Sequence, residues 1–262
     1  MALPVLFISH GAPTMLVDNS PTRKFLQGFG DELRTKHQAL KAIVCISAHW
    51  ETNLPAIVAH QDPPLVYDFY GFPQELYDFQ YSPLGHPPLA TQIQRLLQGA
   101  GLNAELDSAR GLDHGAWVPL SLLFPKANIP IIQVSIQPGQ SLAHHLQLGE
   151  ALRPLREEGV LIVGSGGATH NLRAFRGQPY DAPVCREAQE FSTWLQLQAT
   201  SGNRANLESF EELAPFSKWN HPTLDHILPF FVALGAASKP KATLLQSAFA
   251  FGFLSLDAFS WN

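Results

Sequence analysis

Short apolar runs rich in isoleucine and valine recur along the chain at Val5–Ser9, Ile43–Ser47, Ala56–Ala59, Ile131–Ile136 and Val160–Gly164, with a late one in Ala242–Ser247. Most of them do not alternate apolar with polar residues. A strand with one wet face alternates; an unbroken run fits a strand covered on both faces. Between the runs lie helical patterns near Pro21–His37, Pro87–Gly99, Val118–Phe124, Leu142–Glu157, Pro183–Thr200 and Thr223–Leu234. Pro21 and Pro87 suit a first helical turn, and Ser20 is available as a cap. This alternation predicts an α/β fold, with a mostly parallel or mixed central sheet and helices on both faces. No internal repeat or linker-like shift interrupts it, so one domain is expected over residues 1–262.

Composition narrows the class of partner. Charged residues make up 15% of the 262, against roughly 25% in ordinary globular domains. That favours burial of surface in a homo-oligomer. A net charge of −5 without any Lys or Arg run argues against nucleic acid, which needs a basic footprint. Two cysteines, Cys45 and Cys185, are no disulfide framework. The first residues lack the positive segment of a signal peptide, and no apolar stretch approaches the roughly 18 residues of a membrane span. A cytoplasmic protein without a membrane partner is expected.

Histidine is abundant, at eleven residues, and its positions carry more than its number. Ligands of open α/β sheets bind at the carboxyl ends of strands. His10 follows Val5–Ser9, His49 follows Ile43–Ser47, and His170 ends the turn Gly164-Ser165-Gly166-Gly167-Ala168-Thr169. His114 stands just before a helix in Asp113-His114-Gly115-Ala116-Trp117, and His226 is expected in the first turn of another. A lone histidine at a strand end is usually only hydrogen-bonded. Three at strand ends, beside Gly or Trp, suggest a metal site, because imidazole is the commonest metal ligand. His37 suits a helix C-terminus, whereas His60, His86, His144 and His145 are expected at the surface.

Other chemistries fail on their motifs. Gly28-Phe29-Gly30 lacks the third glycine of a dinucleotide turn, and Gly164-Ser165-Gly166-Gly167 lacks the lysine of a phosphate loop. Ser165 is no nucleophile elbow, since Val163 stands where glycine is required. The stretch Gln61–Gly85, rich in aromatics, Pro and Gly, reads as a long loop able to cover a ligand.

Six segments in order carry a resemblance. They are Ser9-His10-Gly11-Ala12-Pro13, Ser47-Ala48-His49-Trp50, Asp68-Phe69-Tyr70-Gly71-Phe72-Pro73, Asp113-His114-Gly115-Ala116-Trp117, Gly164-Ser165-Gly166 with His170-Asn171-Leu172, and Pro222-Thr223-Leu224-Asp225-His226. Together they resemble the DODA-type extradiol aromatic ring-opening dioxygenases of the class III extradiol, LigB-like superfamily. The resemblance implies His10, His49 and His226 as metal ligands. It makes His170 an acid–base residue close enough to be a fourth ligand, and His114 a second catalytic residue. Trp50, Tyr67, Phe69 and Trp117 would suit a flat aromatic ligand.

The same resemblance implies Fe(II) and O₂ acting on a catechol-type, DOPA-like ring. Relatives that cleave protocatechuate-like acids place a Glu where His226 stands here. Three neutral ligands also suit zinc, so Zn(II) is kept beside Fe(II). Asp225 and Glu51 could orient a ligand imidazole. Two rival readings follow: a zinc-dependent hydrolase with the same histidines, and a Memo-like non-catalytic protein.

Overall fold

The computed structural model describes residues 2–262. Its strands are β1 (Val5–Ser9), β2 (Ala42–Glu51), β3 (Ala56–Val58), β4 (Glu105–Asp107), β5 (Ile131–Ile136), β6 (Val160–Gly166), β7 (Thr243–Gln246), β8 (Phe249–Ala250), β9 (Leu254–Ser255) and β10 (Ala258–Trp261). Its α-helices are α1 (Pro21–Lys36), α2 (Gln74–Tyr77), α3 (Pro87–Gly99), α4 (His114–Leu123), α5 (Leu142–Leu152), α6 (Arg186–Ser201), α7 (Arg204–Glu208), α8 (Phe210–Leu213), α9 (Ser217–Asn220) and α10 (Leu228–Ala236).

Eight strands form one mixed sheet in the order β4-β3-β5-β2-β6-β1-β10-β7, and β8 pairs with β9 separately. The centre is parallel: β5 with β2, β2 with β6, and β6 with β1. Antiparallel pairs β3–β5 and β1–β10 flank it. The unbroken apolar runs therefore have the cause inferred for them. Val5, Phe7, Val44, Ile46, Val160 and Ile162 face one core layer, with α5, α6 and α10. Leu6, Ile8, Ile43, Cys45, Leu161 and Val163 face the other, with α1 and α4. Helices α4 and α10 are buried along their whole length, as expected of helices that are apolar all round.

Several boundaries differ from the sequence reading, for local reasons. Helix α4 starts at His114, not Val118, because the Asp113 carboxylate accepts the Ala116 N–H and caps it. Helix α10 starts at Leu228, so His226 lies in the turn before it rather than in its first turn. Strand β2 runs on to Glu51 past an irregularity after Ile46, so His49 lies inside the strand. His145 is fully buried rather than superficial. Its ring is satisfied locally, accepting from Gln137 N–H and donating to Ser141 O. No described helix is long and apolar enough to cross a membrane.

Two glycines let α5 and α10 cross closely. A Cβ on Gly149 would stand 2.0 Å from Val232 O, and one on Gly235 would stand 2.1 Å from Leu146 O. Both obstacles are backbone, so the helices themselves would have to part. Gly149→Ala is expected to lower unfolding free energy by about 1–3 kcal/mol, the usual cost of overpacking. Urea denaturation of the two proteins measures the difference.

Candidate metal centre

The parallel strands β1, β6 and β2 end along one edge of the sheet, and that edge carries the histidines. The His10 N–H continues the ladder to Gly166 O at 3.0 Å. Gly11 then turns the chain away at φ +61°, a conformation that glycine adopts readily. His49 reaches the same place from β2. His226 comes from the turn before α10, which passes close to β6. A Cβ on Gly166 would meet His226 O at 2.1 Å, and one on Gly164 would meet Pro229 O at 2.2 Å. The glycines of that run thus make room for a ligand-bearing segment of the chain itself.

The tautomers of His10 and His226 follow from their partners. Pro119 inside α4 has no N–H to offer the Gly115 carbonyl one turn back. The Ser165 hydroxyl donates to that carbonyl instead. With its proton committed, Ser165 Oγ can only accept from His10 Nδ1, 3.0 Å away. His226 Nδ1–H donates to the Asp225 carboxylate. His49 Nδ1 lies 3.8 Å from Asp68 Oδ2. For His10 and His226 the lone pair on Nε2 is what remains, and His49 Nε2 converges with them.

His10 Nε2 and His49 Nε2 are 3.0 Å apart. His226 Nε2 is buried with no hydrogen-bond partner. One nitrogen from each of the three lies within 4.8 Å of the others. Nitrogens sharing a tetrahedral ion at about 2.1 Å stand about 3.4 Å apart, so the set fits one divalent cation. Burial, followed by repulsion among the neighbouring rings, pushes His10 and His49 well below the usual histidine range, and burial lowers His226 against the opposing pull of Asp225. All three are therefore neutral, as metal ligands must be.

Two further histidines flank the cluster. The His170 ring stacks on His226, with centroids 3.2 Å apart and planes within 8°. His114 donates its backbone N–H and its Nδ1–H to Asp68 Oδ1, at 3.0 and 2.9 Å. Burial alone would raise the Asp68 pKa, but the bonds from His114 outweigh it and hold it low. Asp225 is held low in the same way by His226. All five histidines line a cavity of about 270 Å³, walled by Phe69, Phe72, Leu254 and Leu256 with Tyr70 and Leu172 at the rim. That lies just under the roughly 300–1,000 Å³ range of ligand pockets and suits a single ring.

The profile of the LigB family, described as the catalytic LigB subunit of aromatic ring-opening dioxygenase, matches residues 4–255. The chain belongs to the LigB family. It is 43% identical over 259 residues to the 4,5-DOPA dioxygenase extradiol of Beta vulgaris, covering 98% of this chain and 95% of that one. With the Escherichia coli K12 protein of the same name it shares 36% over 238 residues, 89% and 85% of the two chains. A crystal structure of an uncharacterized Escherichia coli K12 protein superposes with a TM-score of 0.80 at 30% identity, over 99% of this chain and 100% of that one. This LigB protein is accordingly an extradiol ring-opening dioxygenase.

Of the four aromatic residues expected to bind substrate, Phe69 lines the cavity and three do not. Trp50 is buried on the far side of β2, against Ala56 and Val58 with Arg110 over its ring. Trp117 is fully buried in the core beneath the loop and donates to Val66 O. Tyr67 turns down onto Trp117 and donates to Phe79 O. These three support the wall instead of facing the ligand. Glu51 is exposed, and Asp68 stands where an orienting carboxylate was sought. His221 lies outside the cluster and donates to Ala168 O at 2.9 Å. The sequence reading had no signal for Ser165 as an acceptor, because its role arises from Pro119 on another element.

Two outcomes follow for this LigB centre. A Cβ on Gly115 would stand 2.4 Å from Ser47 Oγ and 2.8 Å from His49 Cδ2. Gly115→Ala is expected to keep the fold but lose about 10–100-fold in metal affinity, the usual effect of disturbing what orients a ligand. Competition with a chromophoric chelator reads it. Burial also pushes His145 and His221 down to about 4 from an ordinary 6.5. Below pH 6.5 the unfolded chain binds protons that the folded chain refuses. Metal-free protein should therefore lose stability as pH falls from 6.5 to 4 and lose no more from these two groups below that. Thermal unfolding across that window checks it; a melting temperature unchanged from pH 7 to 4 contradicts it.

Proposed function

We propose that this protein holds one Fe(II) ion on His10, His49 and His226 and uses O₂ to cleave a catechol-type, DOPA-like ring at a bond flanking its two hydroxyls. The observation that carries the reading is the convergence of three imidazole nitrogens, one of them buried without a hydrogen-bond partner, at the floor of an aromatic-walled cavity. Relatives named for DOPA support the substrate class. Family membership favours oxygenation over the zinc hydrolase and Memo-like readings. The donor set also suits zinc, so metal identity is part of the test.

An ion held by these three histidines would supply Lewis acidity toward the catechol oxygens and O₂. The remaining work falls to side chains. His170 is held neutral by burial and by its neighbour His226, so it can take a proton from a ring hydroxyl and return it later. His114, with Nδ1–H tied to Asp68, offers Nε2 as an acceptor on the other flank. Phe69 and Phe72 clamp the ring plane and keep water away. The reading includes a cytoplasmic location, no nucleic-acid or membrane partner, and a homo-oligomer, the last supported by the low charged share.

Anaerobic loading with Fe(II), then oxygen uptake with a simple catechol and a yellow ring-opened product, tests the activity. Zinc-loaded protein should bind the catechol and take up no oxygen. His170→Ala is expected to retain the ion while turnover falls roughly 10²–10⁴-fold, the worth of a positioned acid–base group. Metal content and turnover are measured side by side on that variant. Loss of the ion would instead make His170 a fourth ligand.

A further inference from the structure

We propose that the cavity selects against catechols carrying a carboxylate directly on the ring and accepts those with uncharged or amine-bearing substituents; the proposal rests on the dioxygenase reading above. Two observations carry it. The first is the charge already present. Asp68 and Asp225 stand directly behind the histidines, in contact with His114 and His226. Their two negative charges match those of a divalent ion bound by neutral imidazoles. A catecholate then makes the site anionic, and a ring carboxylate would add a further negative charge within a few ångströms.

The second observation is the wall around the ring. Phe69, Leu254 and Leu256 are buried to 6, 7 and 3% exposure, deep in the cavity. None of these can donate a hydrogen bond to a carboxylate. The hydroxyls of Ser9, Thr169 and Ser255 in the same lining already donate to Asp257 O, Phe253 O and Ser192 Oγ, so the charge would be desolvated with little compensation. At the rim the surroundings change. Leu172 is 59% exposed and Tyr70 89% exposed. A carboxylate on a longer tether reaches water there and escapes the penalty. Position of the charge, rather than its mere presence on the molecule, is what the cavity reads. No described Lys or Arg lines the cavity: Arg110 lies behind His49, donating to its backbone carbonyl, and Arg173 and Arg176 line a separate cleft.

The test compares 3,4-dihydroxybenzoate with its methyl ester. The ester removes the charge but withdraws electrons more strongly than the ionised carboxylate, so 4-methylcatechol, uncharged and electron-rich, is the second comparison and should also exceed the acid. Calorimetric binding to zinc-loaded protein separates recognition from turnover, and oxygen uptake by iron-loaded protein gives kcat/KM. The ester is expected to exceed the acid by roughly 10²-fold or more in both, the scale of leaving a charge unpaired in a desolvated site. With 3-(3,4-dihydroxyphenyl)propionate the penalty should shrink to within about tenfold of its own methyl ester. Leu172→Arg, at the exposed rim, should raise the acid-to-ester ratio of the benzoate pair. A benzoate ratio under about tenfold in binding and in turnover overturns the selectivity while leaving the activity standing. Failure of the iron-loaded protein to cleave any of these catechols, or 4-methylcatechol, overturns the dioxygenase reading itself.

Discussion

Three neutral imidazoles whose lone pairs face one another, out of water, repel. The structure around them can be understood as what holds that arrangement in place until a cation offsets it. Each ring is held by its outer nitrogen or its setting: His10 by Ser165, His226 by Asp225, and His49 beside Asp68. The Ser165 contact shows how far the constraint reaches. A proline in α4 leaves one backbone carbonyl without its helical partner, a serine on β6 takes that carbonyl, and the serine can then only accept from His10. Helix, sheet and ligand are linked by the absence of one N–H.

Close approach is the second requirement. The floor of the site is narrow because α4 and the segment before α10 both press against it. Gly115, Gly164 and Gly166 each stand where a Cβ would meet backbone or a ligand ring. Side chains there would push apart the elements that carry His10, His49 and His226. Glycine in a strand usually costs stability for want of packing; on β6 that cost is offset by the fit of α10 and its preceding turn.

Much of this was legible in the residues. Unbroken Ile/Val runs gave the central parallel strands closely, because double-sided burial leaves a strong mark. The histidine cluster was legible because strand ends in a parallel sheet share an edge. Strand β4 was missed because two of its three residues are exposed, which leaves no apolar signal. Strand β10 was missed because Ala258–Trp261 is short and joins the sheet antiparallel to β1. Trp50 and Trp117 misled because neighbouring a ligand in sequence says nothing about which face a side chain takes. Adjacent residues of a strand point to opposite sides, so Trp50 must turn away if His49 turns in. Asp68 sat within a motif already singled out, but its partner His114 is 46 residues away, a separation no local pattern spans.

In the proposed centre a histidine, not a carboxylate, is the third ligand, which moves negative charge outward without removing it. A ligand carboxylate would neutralise part of the ion by direct contact and weaken its pull on the substrate oxygens. Here the carboxylates of Asp68 and Asp225 act through imidazole rings or stand beside them. An ion held on the proposed ligands would keep its Lewis acidity, with the long-range charge of the site still balanced in a low-dielectric setting. Asp68 serves this balance and fixes the His114 tautomer with the same oxygen. Charge balance and proton handling are thereby coupled on one residue. Replacing its carboxylate by an amide would disturb both, even though Asp68 forms no hydrogen bond to any of the three ligands.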